Sequence, residues 1–146
     1  MKFIEEELYK TIIENVIVLC VDIVVKYKNQ YVLLKRAEEP MKNVPWPVGG
    51  RITQSETAVM AAHRKLKEEL NLTNYSRLRT LGYYEDHYKN NSFKDNTDYY
   101  TLSVVFETEI NSLDNLGIDA TSINFGLHDS LPERFIIRPF LGIENE

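Results

Sequence analysis

Apolar and polar positions change rhythm several times along the chain, and each change marks an element. Residues 3–14 (FIEEELYKTIIE) place Phe3, Ile4, Leu8, Ile12 and Ile13 near helical spacing, which predicts a short N-terminal helix. Residues 16–27 (VIVLCVDIVVKY) are an almost unbroken β-branched run, which predicts a strand buried on both faces. Lys28-Asn29-Gln30 reads as a hairpin turn and residues 31–36 (YVLLKR) as the returning strand. In residues 41–51 (MKNVPWPVGGR), two prolines and two glycines predict a shaped loop without regular structure. Beyond it, Thr53 and Glu56 have the spacing of a capping box. Val59, Ala62, Leu66 and Leu70 then recur at helical spacing through residues 57–70, a stretch free of Gly and Pro. Asn71 suits the left-handed position that ends such a helix.

Residues 77–88 and 98–110 predict two more strands, joined by a polar surface loop, KNNSFKDNT. Residues 111–120 suggest a turn or short helix, and 131–142 a terminal helix broken at Pro139. With no internal repeat or linker, 146 residues suit one domain, 1–146. The succession predicts an α/β fold in which helices pack on a mixed sheet.

Composition narrows the function classes. A hydrophobic fraction of 43% and a charged fraction of 27% are ordinary for a globular chain. A net charge of −5 without a Lys/Arg cluster argues against a nucleic-acid partner. No stretch is long and apolar enough to span a membrane, and three successive glutamates stand where a signal peptide would be basic. The lone Cys20 excludes an internal disulfide and fits a reducing cytoplasm. Within its apolar run it reads as a small buried hydrophobe rather than a reactive thiol.

The chemistry concentrates in Gly49 to Leu72, GGRITQSETAVMAAHRKLKEELNL. A rigid Pro/Gly loop delivers Gly49 and Gly50 to the start of a helix, where backbone can approach a ligand and the helix N-terminus favours phosphate. Arg64 and Glu68 are four apart and share a helix face, with Glu69 beside them. Adjacent carboxylates are hard oxygen ligands suited to Mg²⁺, which can neutralise diphosphate oxygens and activate water.

This segment resembles the Nudix box, G-x5-E-x7-R-E-U-x-E-E-x-G-U, where U is aliphatic. Gly50, Glu56, Arg64, Leu66, Glu68, Glu69 and Leu72 match at the required spacing. Each residue type has a background frequency of roughly 5–7%, so five charged or glycine matches in register are not a chance event. The order strand, hairpin, strand, Pro/Gly loop, helix is also that of the family, and the resemblance runs from about residue 16 to about 110. It implies a Nudix-type α/β/α sandwich and a Mg²⁺ cofactor, with Mn²⁺ as a substitute. Gly49, Glu68 and Glu69 would hold the metal, Arg64 would orient a carboxylate, and Glu56 would pair with that arginine.

Two positions depart from the pattern: Lys65 stands where it has Glu, and Asn71 where it has Gly. A lysine cannot ligate Mg²⁺ and is a poor base at neutral pH. Glu68 then takes over the role, a carboxylate or histidine from residues 85–98 serves, or activity is lost.

Asp22, Leu33-Leu34-Lys35-Arg36, Pro47-Val48-Gly49-Gly50-Arg51, His87 before an aromatic, and Thr97-Asp98-Tyr99 are similar to the GDP-mannose mannosyl hydrolase branch. By that resemblance Arg36 and Arg51 would hold diphosphate oxygens and Asp22 would lie near the base or sugar. Glu85, Asp86, His87 and Asp98 are candidates for the base, His87 foremost; His63 and His128 are weaker ones. Trp46 reads as a core plug for its loop, and Tyr83, Tyr84, Tyr88, Tyr99 and Tyr100 as cross-strand pairs.

The expectation is therefore a cytoplasmic Nudix hydrolase acting on a nucleotide sugar such as GDP-mannose. The alternatives are a nucleoside triphosphate pyrophosphohydrolase and an inactive nucleotide-sugar-binding module. A homodimer is compatible with the resemblance.

Overall fold

The longest strand-to-strand register in the molecule is parallel, and everything else is arranged around it. The computed structural model describes residues 3–39, 41–88 and 98–140. Its elements are α1 (Glu6–Asn15), β1 (Val18–Tyr27), β2 (Gln30–Arg36), β3 (Pro45–Trp46), β4 (Val48–Arg51), α2 (Ala58–Leu70), β5 (Arg79–Tyr88), β6 (Tyr99–Ile110) and β7 (Ser122–His128). β1 runs parallel to β6 from Val18↔Thr101 to Tyr27↔Ile110. Its other edge is shared: β4 pairs antiparallel with Cys20–Ile23, and β2 with Val25–Tyr27. β5 extends the sheet antiparallel to β6, while β3 and β7 pair antiparallel with β2. The result is the expected mixed sheet with flanking helices.

One face of the sheet packs on α2. Ala61, Ala62, Leu66 and Leu70 of the helix meet Val21, Ile23 and Val25 of β1, Val32 and Leu34 of β2, Val48, Phe106 and Ile110. The predicted apolar spacing is thus the buried stripe, except that Val59 is exposed and Ala61 takes its share of the contact. A second cluster joins Val24, Trp46, Tyr84, Val105 and Phe135. Trp46 packs edge-on against Phe135 at 5.2 Å and tilted against Tyr84 at 5.7 Å, the plug its flanking prolines suggested.

Helix ends follow local chemistry. The Glu5 carboxylate caps α1 by accepting from the N–H groups of Glu7 and Leu8. For α2 the expected cap shifts by one turn: Thr57 is the N-cap and its hydroxyl accepts from the Met60 N–H at 3.2 Å. Thr53 and Glu56 instead close a turn ahead of the helix, with the Thr53 N–H donating to Glu56 Oε1 at 2.9 Å. Asn71 ends α2 at φ 52° and ψ 32°, and the Leu72 N–H reaches back to the Leu66 carbonyl at 3.1 Å.

Three expectations are corrected. The Pro/Gly loop contains two short strands, because β3 and β4 find hydrogen-bond partners in β2 and β1 that a local reading cannot see. Residues 122–128 form β7, a strand the sequence reading left out. Residues 131–140 form no helix; they run as turns and extended chain, with a bridge between Tyr83 and Arg138. Pro132 and Pro139 remove two amide donors there, and Phe135 is drawn sideways into the Trp46 cluster. The predicted polar loop, 89–97, lies outside the described residues, as do 141 and 142.

Candidate functional site

The sheet's pairing pattern opens a cleft over the first half of β1. Cys20 and Asp22 of β1, Leu34 and Arg36 of β2, Trp46, Pro47, Gly49 and Gly50 line it. So do Glu69 of α2, Tyr88 of β5, Tyr99, Thr101 and Ser103 of β6, and Thr121 and Ser122. Alternation along β6 sends Tyr99, Thr101 and Ser103 to one face. Those side chains face Asp22, one strand over.

Asp22 is the most confined ionisable group of the cleft. It is 6% exposed, and Ser103 and Trp46 donate hydrogen bonds to its carboxylate. Burial pushes its carboxyl up to about 7 despite those donors, and the Glu69 charge adds to the rise. Asp22 sits opposite Gly49 in the β1–β4 register. A Cβ on residue 49 would come 2.5 Å from both Asp22 Oδ1 and the Val21 carbonyl oxygen, so only glycine allows this approach. Cys20 shares the wall; its thiol is pushed up to about 12 by burial, which keeps it protonated and inert.

The carboxylates of α2 are held by basic neighbours. Glu69 is 7% exposed. Its Oε2 accepts from the Gly49 N–H at 3.2 Å and its Oε1 lies 3.0 Å from Lys65 Nζ. Burial raises the Glu69 carboxyl, and Lys65 pulls against that rise. Glu68 is exposed, with Oε2 3.2 Å from Arg64 Nη1 and 3.4 Å from Lys65 Nζ. Arg64 grips Glu56 through Nε at 2.9 Å and Nη2 at 2.5 Å, and donates to the Arg51 carbonyl at 3.0 Å. One guanidinium thus ties α2 to β4 and orients Glu68.

That fork stabilises the fold as well as the site. The Arg64 hydrogen bond holds the Glu56 carboxyl well below the carboxylate range, at about 2. Because the folded value is the lower one, the contribution is complete above about pH 4.5 and is lost as pH falls toward 2. Glu56→Gln is expected to cost about 2 kcal/mol at pH 7, after discounting for solvent screening, and almost nothing at pH 2. Urea titrations at the two pH values measure the difference.

The structure brings together Asp22, Arg36, Gly49 and Glu69 at the cleft, with Glu68 and Arg64 beside it. Arg51 is not among the lining residues; its guanidinium lies over the Tyr9 ring at 4.7 Å. His87 is on the opposite face of β5 from Tyr88. It stacks on Tyr100 at 4.3 Å, pairs with Asp98 at 3.0 Å, and borders a separate hollow with Ile17, Glu85 and Leu102. Asp86 is engaged by Arg134 and by the Tyr84 hydroxyl. None of the four expected candidates for a base lines the cleft. Sequence reasoning missed Thr101, Ser103, Thr121 and Ser122; the alternating Tyr99-x-Thr101-x-Ser103 ahead of the apolar Val104–Phe106 was a signal for the first two.

Among the described residues, no three His, Cys, Asp or Glu side chains converge on one point. The Glu69 oxygens already serve the Gly49 N–H and Lys65, and Lys65 also faces Glu68. As folded, the donor set does not fit a metal ion, since the ammonium stands between the two carboxylates.

Comparison with known proteins places these observations. The family described as the NUDIX domain matches residues 16–123. Among solved structures, the MutT NUDIX hydrolase from Burkholderia pseudomallei is similar at 16% identity, covering 84% of this chain and 92% of that one, with a TM-score of 0.67. The NUDIX domain of Shewanella oneidensis NrtR, complexed with ADP ribose, has 16% identity over 86% and 83%, with a TM-score of 0.63. A C. elegans Ap4A hydrolase in a binary complex has 19% identity over 77% and 80%, with a TM-score of 0.59. No curated protein matches this sequence closely.

Proposed function

Because this chain belongs to the Nudix family, whose hydrolases act on nucleoside diphosphate derivatives, we propose that its cleft takes a nucleotide sugar, with GDP-mannose the first substrate to test. The observation that carries the reading is the cleft itself. A buried carboxyl balanced near neutrality, an arginine and two glycines meet there on rigid strands. Arg36 would hold diphosphate oxygens, and Gly49 and Gly50 let the diphosphate approach the backbone. Asp22, poised near pH 7, would exchange a proton with the attacking water or the leaving group. The enclosed space is about 80 Å³, less than a whole nucleotide occupies, so base or sugar would project through the mouth. ADP ribose in the Shewanella domain is a ligand of the same chemical class.

Nudix hydrolases use divalent metal ions. Here Lys65 holds both α2 carboxylates, so proton handling and diphosphate binding are assigned to the chain's own groups. The same lysine favours a second reading, a module that binds the nucleotide sugar without turning it over.

A panel of nucleotide sugars and nucleoside triphosphates, incubated with and without Mg²⁺, separates these readings. Release of nucleotide from GDP-mannose or a related sugar is expected, with Asp22→Asn losing about tenfold or more of the rate. Turnover in ¹⁸O water then tells carbon from phosphorus: label in the sugar marks attack at carbon, label in phosphate attack at phosphorus. Equal turnover by Asp22→Asn would refute its role, tight binding without turnover would favour the binding module, and cleavage of triphosphates alone would mark a nucleotide-pool hydrolase.

A further inference from the structure

We propose that the Lys65 ammonium is this chain's resident cation, standing where a divalent ion would otherwise bridge the α2 carboxylates, and that diphosphate is gripped here without metal. The placement is specific. Nζ lies 3.0 Å from Glu69 Oε1 and 3.4 Å from Glu68 Oε2, and the side chain is only 12% exposed. A charge that well sheltered is screened little by salt and keeps a fixed position.

The side chain is in contact on both sides. A Cβ on residue 50 would come 2.8 Å from Lys65 Cε and 3.2 Å from its Nζ, so the lysine stem passes directly over the glycine. Lys65 is not itself among the lining residues; its ammonium lies directly behind Gly50 and Glu69, which are. On the far side, the Gly49 N–H fixes the second Glu69 oxygen at 3.2 Å and turns the first toward Lys65. An ammonium carries three donors. The two carboxylates engage two, and the third can turn to a diphosphate oxygen.

Charge balance points the same way. Glu56, Glu68 and Glu69 are faced by Arg64 and Lys65, leaving one net negative charge across five groups. A divalent ion entering between Glu68 and Glu69 would meet Lys65 at contact distance and be repelled by it. Replacing the lysine by the glutamate of the family pattern would reverse that balance and add an oxygen ligand.

The diphosphate half of this inference rests on the proposed function; the cation half does not. Mn²⁺ binding to the whole chain, followed by electron paramagnetic resonance without nucleotide, tests the cation. K65E is expected to bind Mn²⁺ about tenfold more tightly than the parent chain. Calorimetry with GDP tests the grip: the parent affinity should change less than about twofold between EDTA and Mg²⁺, and K65M should weaken GDP binding in EDTA by about tenfold. If K65E fails to fold, K65M still tests the charge. Parent Mn²⁺ binding as tight as that of K65E and weakened by E69Q would overturn the proposal, as would loss of GDP binding on adding EDTA. If GDP binds in neither buffer, the substrate reading fails, and the Mn²⁺ comparison alone decides the cation.

Discussion

At pH 8, Asp22→Asn is expected to be more stable than the parent chain by about 3 kcal/mol, while at pH 4 the two should be nearly equal. The sign follows from where the proton prefers to sit. The Asp22 carboxyl rises from 3.8 to about 7 on folding, because its site excludes water. The folded chain therefore binds a proton that the unfolded chain releases. Stability is highest below pH 3.8, declines as pH rises through 7, and levels off above it. An amide of the same shape never ionises, so it escapes that decline. The Ser103 and Trp46 donors can still reach its carbonyl oxygen, which limits the loss of hydrogen bonding. Thermal denaturation from pH 4 to 9 measures both curves, and parallel curves would show that Asp22 keeps its ordinary affinity for protons. The same variant should lose hydrolysis, since it has no proton to exchange. A gain in stability with a loss of activity is what strained functional groups produce.

Trp46→Ala should destabilise the chain by about 3–5 kcal/mol. The indole is 5% exposed and touches both Tyr84 and Phe135. Removing it leaves a cavity bordered by Val24, Tyr84, Val105 and Phe135 from four separate segments, and packed strands collapse poorly. Asp22 would also lose a donor to its carboxylate, so its proton affinity should rise further. Urea unfolding gives the stability change. A loss under 1 kcal/mol would show that the indole is not the plug its contacts describe.

How much of this was legible depended on whether a residue's partner lay nearby in the chain. The α2 stripe, its Asn71 stop and the existence of strands β1 and β6 were legible because periodicity is a local property, whereas their parallel pairing was not. β7 was not: SINFGLH has no clean alternation, most of its side chains are half-buried or exposed, and its place is set by β2, some ninety residues earlier. Residues 131–140 carry helical-looking spacing, but Phe135 and Arg138 answer to Trp46 and Tyr83 instead. In the site, Gly49, Glu69, Arg64 and Glu56 come together from one contiguous segment, as a motif should. His87 was read by its neighbours in sequence, and strand alternation turned it to the other face. The bond between Arg134 and Asp86 spans 48 residues and left no trace in spacing.

The segment that carries Phe135 and Arg138 has a consequence for biosynthesis. The α2 face of the sheet is complete once Phe125 and Leu127 of β7 are in place, but the Trp46 face waits for residues 131–137. A released chain cut after residue 130 would expose Trp46 and Tyr84 to chaperones while its other layer is already set, and the cleft floor would be the last part to consolidate.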